Sequence, residues 1–297
     1  MAVLQYATQF DNRIRDLYGH ELISNALFNS NQDIQIVNAK DLKIPRLTVS
    51  GYKDHTRGGN YNSGNYSNDY ETKQLDHDRD IEFIVDPMDV DETNTVVSIA
   101  NIQARFERKQ AIPELDSYTF SKLYSEAVRV GATIKTTAIT AANVLSDFDD
   151  NCEAFEDAGV PLGRCILYCT AAYKKALKNA EGIQRTLEVS GGVKGIDRRI
   201  HTMDDLGEIK VVPLERFKTA YDFTEGYRAD ATGKQINYIL VDPEAQVSRV
   251  KYAYINTYTP GHDSRTADNY LYQNRRYNGT FALDEELKQG CIINAEA

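Results

Sequence analysis

Residues 42 to 49 and 81 to 85 both carry apolar side chains at close to every second position. Leu42, Ile44, Leu47 and Val49 nearly alternate in the first stretch, and Ile81, Phe83 and Val85 alternate strictly in the second. A period of two is the mark of a β-strand with one buried face. Between them lies Gly58 to Tyr70, "GGNYNSGNYSNDY", which holds three tyrosines but no Leu, Ile, Val or Met. Such a segment cannot build a core of its own, yet it presents large amphipathic rings. Residues 42 to 87 therefore predict a long hairpin with an extended tip, and an excursion of that length inside a compact domain calls for a function.

The period changes after Asp91. Val96, Ile99, Ile102 and Phe106 recur at three and four residues behind a Thr/Asn-rich start suited to capping. This is the longest helical region of the chain. Pro113 is expected to interrupt it, because proline lacks an amide donor and disfavours helical geometry at Ile112. A second helix then runs through Phe120, Leu123, Tyr124 and Ala127.

Further on, Val144, Phe148, Cys152 and Phe155 form one stripe of a helix whose other face is acidic, stopped by Gly159 and Pro161. "RCILYCT" reads as a buried strand, with Thr170 placed to cap the helix "AAYKKALKNA". "GEIKVVPLERF" and "QINYILVD" read as two more short strands, which makes residues 131 to 258 an α/β layer. In the tail, Tyr270, Tyr272, Tyr277 and Phe281 alternate loosely, as strands returning to an earlier part of the fold would. Residues 1 to 40 mix short apolar patches with Asn, Gln and Asp around a weak helical period at Leu17, Leu22, Ile23 and Leu27, and read as an arm with one short helix. No solenoid-type repeat is visible.

The search for chemistry returns little. "GGVKG" at 191 to 195 lacks the Lys-Ser/Thr pair of a phosphate loop and reads as an ordinary loop. Cys165 and Cys169 fit neither a redox pair nor a zinc knuckle and read as packing residues; four cysteines in 297 residues make no disulfide framework and point to a reducing site of synthesis. The acidic stretches "DHDRD" (76 to 80) and "DFDDNCE" (147 to 153) lack the ligand spacing of a calcium loop and read as solvated charge, and His77 between two Asp is a weak site. No catalytic, cofactor-binding or metal-binding residue is assigned. A net charge of -10 argues against a nonspecific grip on nucleic acid. The charged N-terminal stretch "MAVLQYATQFDNRIRD" is no signal peptide, and no apolar run is long enough to span a membrane, so no membrane partner is expected. Tyrosine is abundant, 19 residues against 10 Phe and no Trp, and several sit in segments read as loop or edge. Such rings favour protein–protein contact; a carbohydrate-binding module would display aromatics too, though more usually Trp.

The order of parts resembles the HK97-like major capsid proteins of tailed bacteriophages. An extended arm, a long hairpin ending in "IEFIVDPMDVDETN", the helix "FERKQAIPELDSYTFSKL" and an α/β region with "EDAGVPLGRCILYCTAAYKKAL" carry the likeness over nearly the whole chain. The most specific stretches are "RKQAIPELDSYTFSKL" and "AGVPLGRCILY".

The resemblance implies an α+β fold with an N-terminal arm at 1–40, an E-loop hairpin at 41–90, a peripheral domain with a spine helix at 91–130 and 262–297, and an axial domain at 131–261. It implies a non-enzymatic, self-assembling shell protein without cofactor, forming pentamers and hexamers that enclose double-stranded DNA, in a virion assembled in the bacterial cytoplasm. The implied assembly contacts are Arg57, Tyr61, Tyr66 and Tyr70 on the hairpin tip and Tyr6, Phe10 and Arg13 on the arm. A portal protein is an implied partner, and because Met1 opens directly into the arm, so is a separate scaffolding protein. Lys53 and Lys73 in the hairpin give no support for a covalent crosslink. An encapsulin-like compartment shell, or a carbohydrate-binding or hydrolytic protein, are the alternatives.

Overall fold

The computed structural model describes residues 22–28, 41–55, 57, 59, 61–88, 98–180, 206–262 and 266–296. The arm residues Tyr6, Phe10 and Arg13, the start of the long helix at Val96 and the loop at 191 to 195 lie outside the described residues.

One helical column organises the molecule. The short α1 (Asn25–Phe28) lies beside it, where Ser24 bonds to Asp116 of the column. The column itself comprises α2 (Ile99–Phe106), a single π turn (Glu107–Ala111) and α3 (Ile112–Val130) in unbroken succession. Ser98 caps its start, its hydroxyl accepting from the Asn101 amide at 3.4 Å, and Gly131 closes it at φ 73°, the left-handed conformation that glycine adopts without steric cost. Pro113 does not interrupt the column. The π turn just before it bonds the Ile112 amide to the Glu107 carbonyl, one residue further back than an α-turn reaches, so the missing donor of Pro113 is absorbed in a locally widened turn.

Beside the column stands a five-stranded sheet in the order β4-β12-β9-β5-β6, where β4 is Thr133–Lys135, β5 Ile166–Cys169, β6 Glu208–Val211, β9 Ile236–Val241 and β12 Cys291–Ala295. Side chains alternate across β5. Ile166 and Tyr168 face α3, where Phe120 meets Tyr168 and Phe217 with ring centroids 5.1 Å apart in both contacts. Cys165, Leu167 and Cys169 face the other way, onto α4 (Val144–Asp157) and α5 (Ala171–Asn179). Val144, Phe148 and Phe155 of the expected stripe are fully buried there, and the Thr170 hydroxyl caps α5 by accepting from the Tyr173 amide at 3.2 Å. Each such large apolar side chain contributes about 1.5–3 kcal/mol on burial.

A second sheet, in the order β10-β11-β3, joins β10 (Gln246–Tyr258), β11 (Tyr270–Ala282) and β3 (His77–Val85), all antiparallel. β7 (Tyr221–Asp222) and β8 (Arg228–Ala229) make a small ribbon, and α6 (Asp284–Gln289) links β11 to β12. Strand pairing joins the 131–261 and 262–297 segments twice. β10 leaves the 131–261 block to pair with β11, and β12, from the 262–297 block, sits inside the five-stranded sheet with Ile293 opposite Ile239. The two segments share both of these sheets.

The hairpin also differs from expectation. β1 (Asp41–Val49) pairs not with 81–85 but with β2 (Tyr66–Gln74), in register from Asp41 opposite Gln74 to Val49 opposite Tyr66. β2 contains the second half of the "GGNYNSGNYSNDY" stretch, so Tyr66 and Tyr70 lie on the shaft and the tip is residues 50–65. Its sequence, "YSNDYETKQ", carries no strand signal, because it has no apolar alternation.

Candidate functional site

The β1–β2 ribbon has two unlike faces. Residues directly opposite in an antiparallel pair point to the same side, so Leu47 and Val49 share a face with Tyr66, Asn68 and Tyr70, Leu47 lying opposite Asn68. Leu47 and Val49 are each 67% exposed, Tyr66 82% and Tyr70 57%. The other face carries Arg46, Thr48, Ser67 and Asp69. An isolated two-stranded ribbon has no second layer against which to bury an apolar face.

The tip is organised by its own polar groups. The Ser50 amide donates to the Asn65 carbonyl at 2.9 Å, the Asn65 amide returns to the Ser50 hydroxyl at 2.9 Å, and Asn62 Nδ2 donates to the Asp54 carbonyl at 2.8 Å. Lys53 Nζ reaches the Ser63 carbonyl at 3.3 Å, and the His55 and Tyr61 rings lie 5.9 Å apart. These bonds turn Tyr52 and Tyr61 outward, essentially fully exposed, with Arg57 also exposed. Arg57, Tyr61, Tyr66 and Tyr70 are thus all solvent-facing on one projection, but on two parts of it.

The ribbon's root is held firmly. Leu75 is buried with Val247 and Phe281, in a niche that exists because residue 279 is glycine: a Cβ there would lie 2.6 Å from Leu75 Cδ2 and 2.8 Å from Phe281 Cζ. Asp76 accepts from the Tyr118 hydroxyl at 2.5 Å and from Lys122 at 2.6 Å. Burial pushes the Asp76 carboxyl up, but those two hydrogen bonds and the charges of Lys122 and His77 outweigh it and hold the group below the usual carboxylate range. His77 is buried, stacked on Tyr118 with centroids 4.0 Å apart, and its Nε2 lies 3.5 Å from Glu114, which also pairs with Arg79 at 2.7 Å. Higher up, the shaft's ties to the body are ionic: Lys73 to Asp284 at 3.2 Å, with Arg129 on the same carboxylate, and Arg46 to Glu285 at 3.5 Å.

The acidic stretches are therefore not simply solvated. Asp76 and Asp78 are both paired, Asp78 with Arg275 at 2.6 Å, and Asp147 accepts from Lys135 at 2.9 Å and from the Tyr238 hydroxyl at 2.6 Å. Cys165 and Cys169 are buried thiols that burial pushes up to about 12, as packing residues would be. A fully buried acid, Glu107, had no signal in the sequence. Glu107, in the π turn, is fully enclosed and accepts from Arg276 through both oxygens at 2.7 Å and from Asn274 at 2.7 Å. Its partners lie almost 170 residues away, a distance no local pattern spans.

No family model matches the sequence, and neither does any curated relative. Solved structures do match. "Asymmetric unit of bacteriophage PhiM1 mature capsid" superposes with a TM-score of 0.62 at 13% identity, covering 87% of this chain and 82% of the other. "Capsid structure of the Cyanophage P-SCSP1u" gives 0.58 at 11% identity, over 89% and 85% of the two chains. The fold is that of HK97-like phage capsid proteins. The virus-like particle of Pyrococcus furiosus also matches, with a TM-score of 0.50 at 12% identity over 97% of this chain and 99% of its own.

Proposed function

We propose that this chain is a major capsid protein, which self-assembles as pentamers and hexamers into the icosahedral shell around the double-stranded DNA of a tailed phage. One observation carries the reading: on an HK97-like fold, Leu47, Val49, Tyr66 and Tyr70 form a single exposed face of a projecting ribbon. A neighbouring copy supplies the missing layer, and the cost of leaving that face in water becomes the free energy of assembly. Arg57 and Tyr61 on the tip make the outermost contacts of the same interface, and Tyr6, Phe10 and Arg13 of the arm add a second. The protein's role is structural and not enzymatic, its place is the virion, and a scaffolding protein and a portal protein are its partners during assembly. The negative net charge suits a wall that encloses DNA without adhering to it.

Electron microscopy of the purified full chain is the test, and closed particles tens of nanometres across are the expected result. Replacing residues 51–64 by a two-residue turn, which rejoins the already bonded Ser50 and Asn65, should leave a folded subunit that forms no stable shell. Normal particles from that variant would overturn the role of the tip. Particles formed in cells that hold a protein cargo and no DNA would instead identify a compartment shell.

A further inference from the structure

The ribbon is held to the body at three heights, and the outermost hold is the most exposed. β1 and β2 pair with no other strand, so no sheet anchors the shaft. At its root Leu75 is buried. Two residues up, Lys73 reaches Asp284 at 3.2 Å, with the Lys73 side chain only 12% exposed. Further out, Arg46 of β1 reaches Glu285 at 3.5 Å, and both of those side chains are more than half exposed. Beyond Arg46, Thr48, Ser67 and Asn68 are all exposed, so the shaft is clear of the body from there on.

The fixed side of these contacts is α6. Leu287 is fully buried in the main core, and Leu283, just before the helix, packs with Leu75, Val247 and Phe281. Asp284 is held in turn by Arg129 from the end of α3, which also pairs with Glu126 at 2.9 Å. Two adjacent carboxylates, Asp284 and Glu285, therefore stand on a firm post and meet one cation from each strand of the ribbon.

Lever arms separate the two pairs. Lys73 lies two residues from Leu75, about 7 Å along an extended strand, so it holds the root and does little to set a direction. Arg46 is opposite Asp69, six residues from Leu75 and about 20 Å out, where a shift of the contact becomes a tilt of the whole projection. Being exposed, this outer pair is the one that dissolved salt screens. Arg46 also has another acid on its own face of the ribbon, since Asp69 lies directly across from it, so it keeps a partner when Glu285 lets go.

We propose that α6 is an ionic clasp for the ribbon: Asp284 with Lys73 holds its root, and Glu285 with Arg46 sets its tilt. The clasp grips the polar face, which carries Arg46 and Asp69, and so turns the face of Leu47, Val49, Tyr66 and Tyr70 away from the subunit that owns it. A ribbon already fixed in that direction loses less freedom when a second copy covers it than one that swings about Leu75. This last step rests on the shell reading; the clasp itself does not.

Spin labels on the full chain read the tilt. Cys152→Ser removes the half-buried native thiol, leaving the three buried ones. Nitroxides at Ser67→Cys on the ribbon and Asp149→Cys on α4, both exposed positions, then give a distance distribution for the dissociated subunit by double electron–electron resonance. At low salt the parent should show one narrow distribution, and at about 1 M salt, where the screening length is about 3 Å, a clearly broader one. Glu285→Gln and Glu285→Arg should broaden it at low salt, and Glu285→Asp should keep it narrow. Glu286→Gln, at the next acid of α6, should change nothing. All four variants should melt like the parent, because both positions are exposed. In electron microscopy across a concentration series, Glu285→Arg should raise the concentration at which particles form about threefold, the scale of one exposed ion pair, and Glu285→Asp should not.

A distribution as narrow in Glu285→Arg, or at high salt, as in the parent would overturn the clasp, and so would equal broadening by Glu286→Gln. Broadening with parental assembly would keep the clasp and overturn its share in shell formation. If the parent itself forms no closed particle, the shell reading fails while the label distances still decide the clasp.

Discussion

Changing the ribbon's apolar face to Leu47→Thr, Val49→Thr, Tyr66→Thr and Tyr70→Thr separates folding from assembly. Threonine keeps the β-propensity of the strands while removing the apolar surface. The four side chains are already between 57% and 82% exposed, so the isolated subunit loses little by the change. Exposed substitutions of this kind stay within about 0.5 kcal/mol. In an assembled shell the same side chains are worth more. Fully burying such a residue contributes about 1.5–3 kcal/mol, and scaling by the roughly two thirds still open leaves about 1–2 kcal/mol for each. The four together offer about 4–8 kcal/mol per ribbon. Ordering of side chains and imperfect burial consume about half of such a gain, so a net of about 2–4 kcal/mol remains. At about 1.4 kcal/mol per decade, that is a rise of roughly 30- to 700-fold in the concentration at which shells form. Light scattering across a concentration series, with particles counted by electron microscopy, reads this directly, and a melting curve of the dissociated subunit supplies the control. Shells appearing at the parental concentration would refute the argument. So would a fall in subunit melting temperature large enough to explain the loss of particles.

Three further outcomes follow from the interior. Arg276→Ala leaves Glu107 buried without its ion-pair partner and should cost about 3–5 kcal/mol by denaturant unfolding, whereas Glu107→Gln with Arg276→Gln should cost less than that single change. Glu114 is pushed up by burial, but hydrogen bonds from His77 and Arg79 and their charges outweigh this and hold its pKa below the ordinary value. Its folded-state pKa being the lower one, its contribution is present above the unfolded pKa, near 4.3, and is lost as pH falls through the folded value. Melting temperature should therefore fall between about pH 5 and pH 3 by less in Glu114→Gln than in the parent. Cys165 and Cys169, with thiols pushed up to about 12, and the fully buried Cys291 should resist a thiol reagent at neutral pH in the native protein, with Cys152 reacting first; mass spectrometry of the labelled peptides reads the order.

Local pattern determined a large part of this molecule. The stripe Val144, Phe148 and Phe155 specified an amphipathic helix, because burial of one face follows from spacing alone. Thr170 announced the start of α5, since a hydroxyl before a helical run satisfies an amide that nothing else can reach. The apolar runs of β5 and β9 needed no partner to be recognised as interior strands. The tyrosine-rich, core-poor stretch from 58 to 70 marked a segment outside the core, and Tyr61, Tyr66 and Tyr70 are exposed.

Tertiary structure decided what distant residues do to one another. Pro113 stays inside a helix because a π turn widens ahead of it, while Glu107 in that turn meets Arg276 and Asn274 from a strand far along the chain. β2 pairs with β1 despite its polar sequence, because a ribbon is held by backbone hydrogen bonds, to which side-chain periodicity is blind. β12 enters the five-stranded sheet because a single apolar strand at the end of the chain cannot bury both faces alone, and the choice between two sheets depends on which one offers an open ladder. Spacing along a chain encodes which side of an element is apolar; which surface covers that side is settled only when all the elements compete for one another.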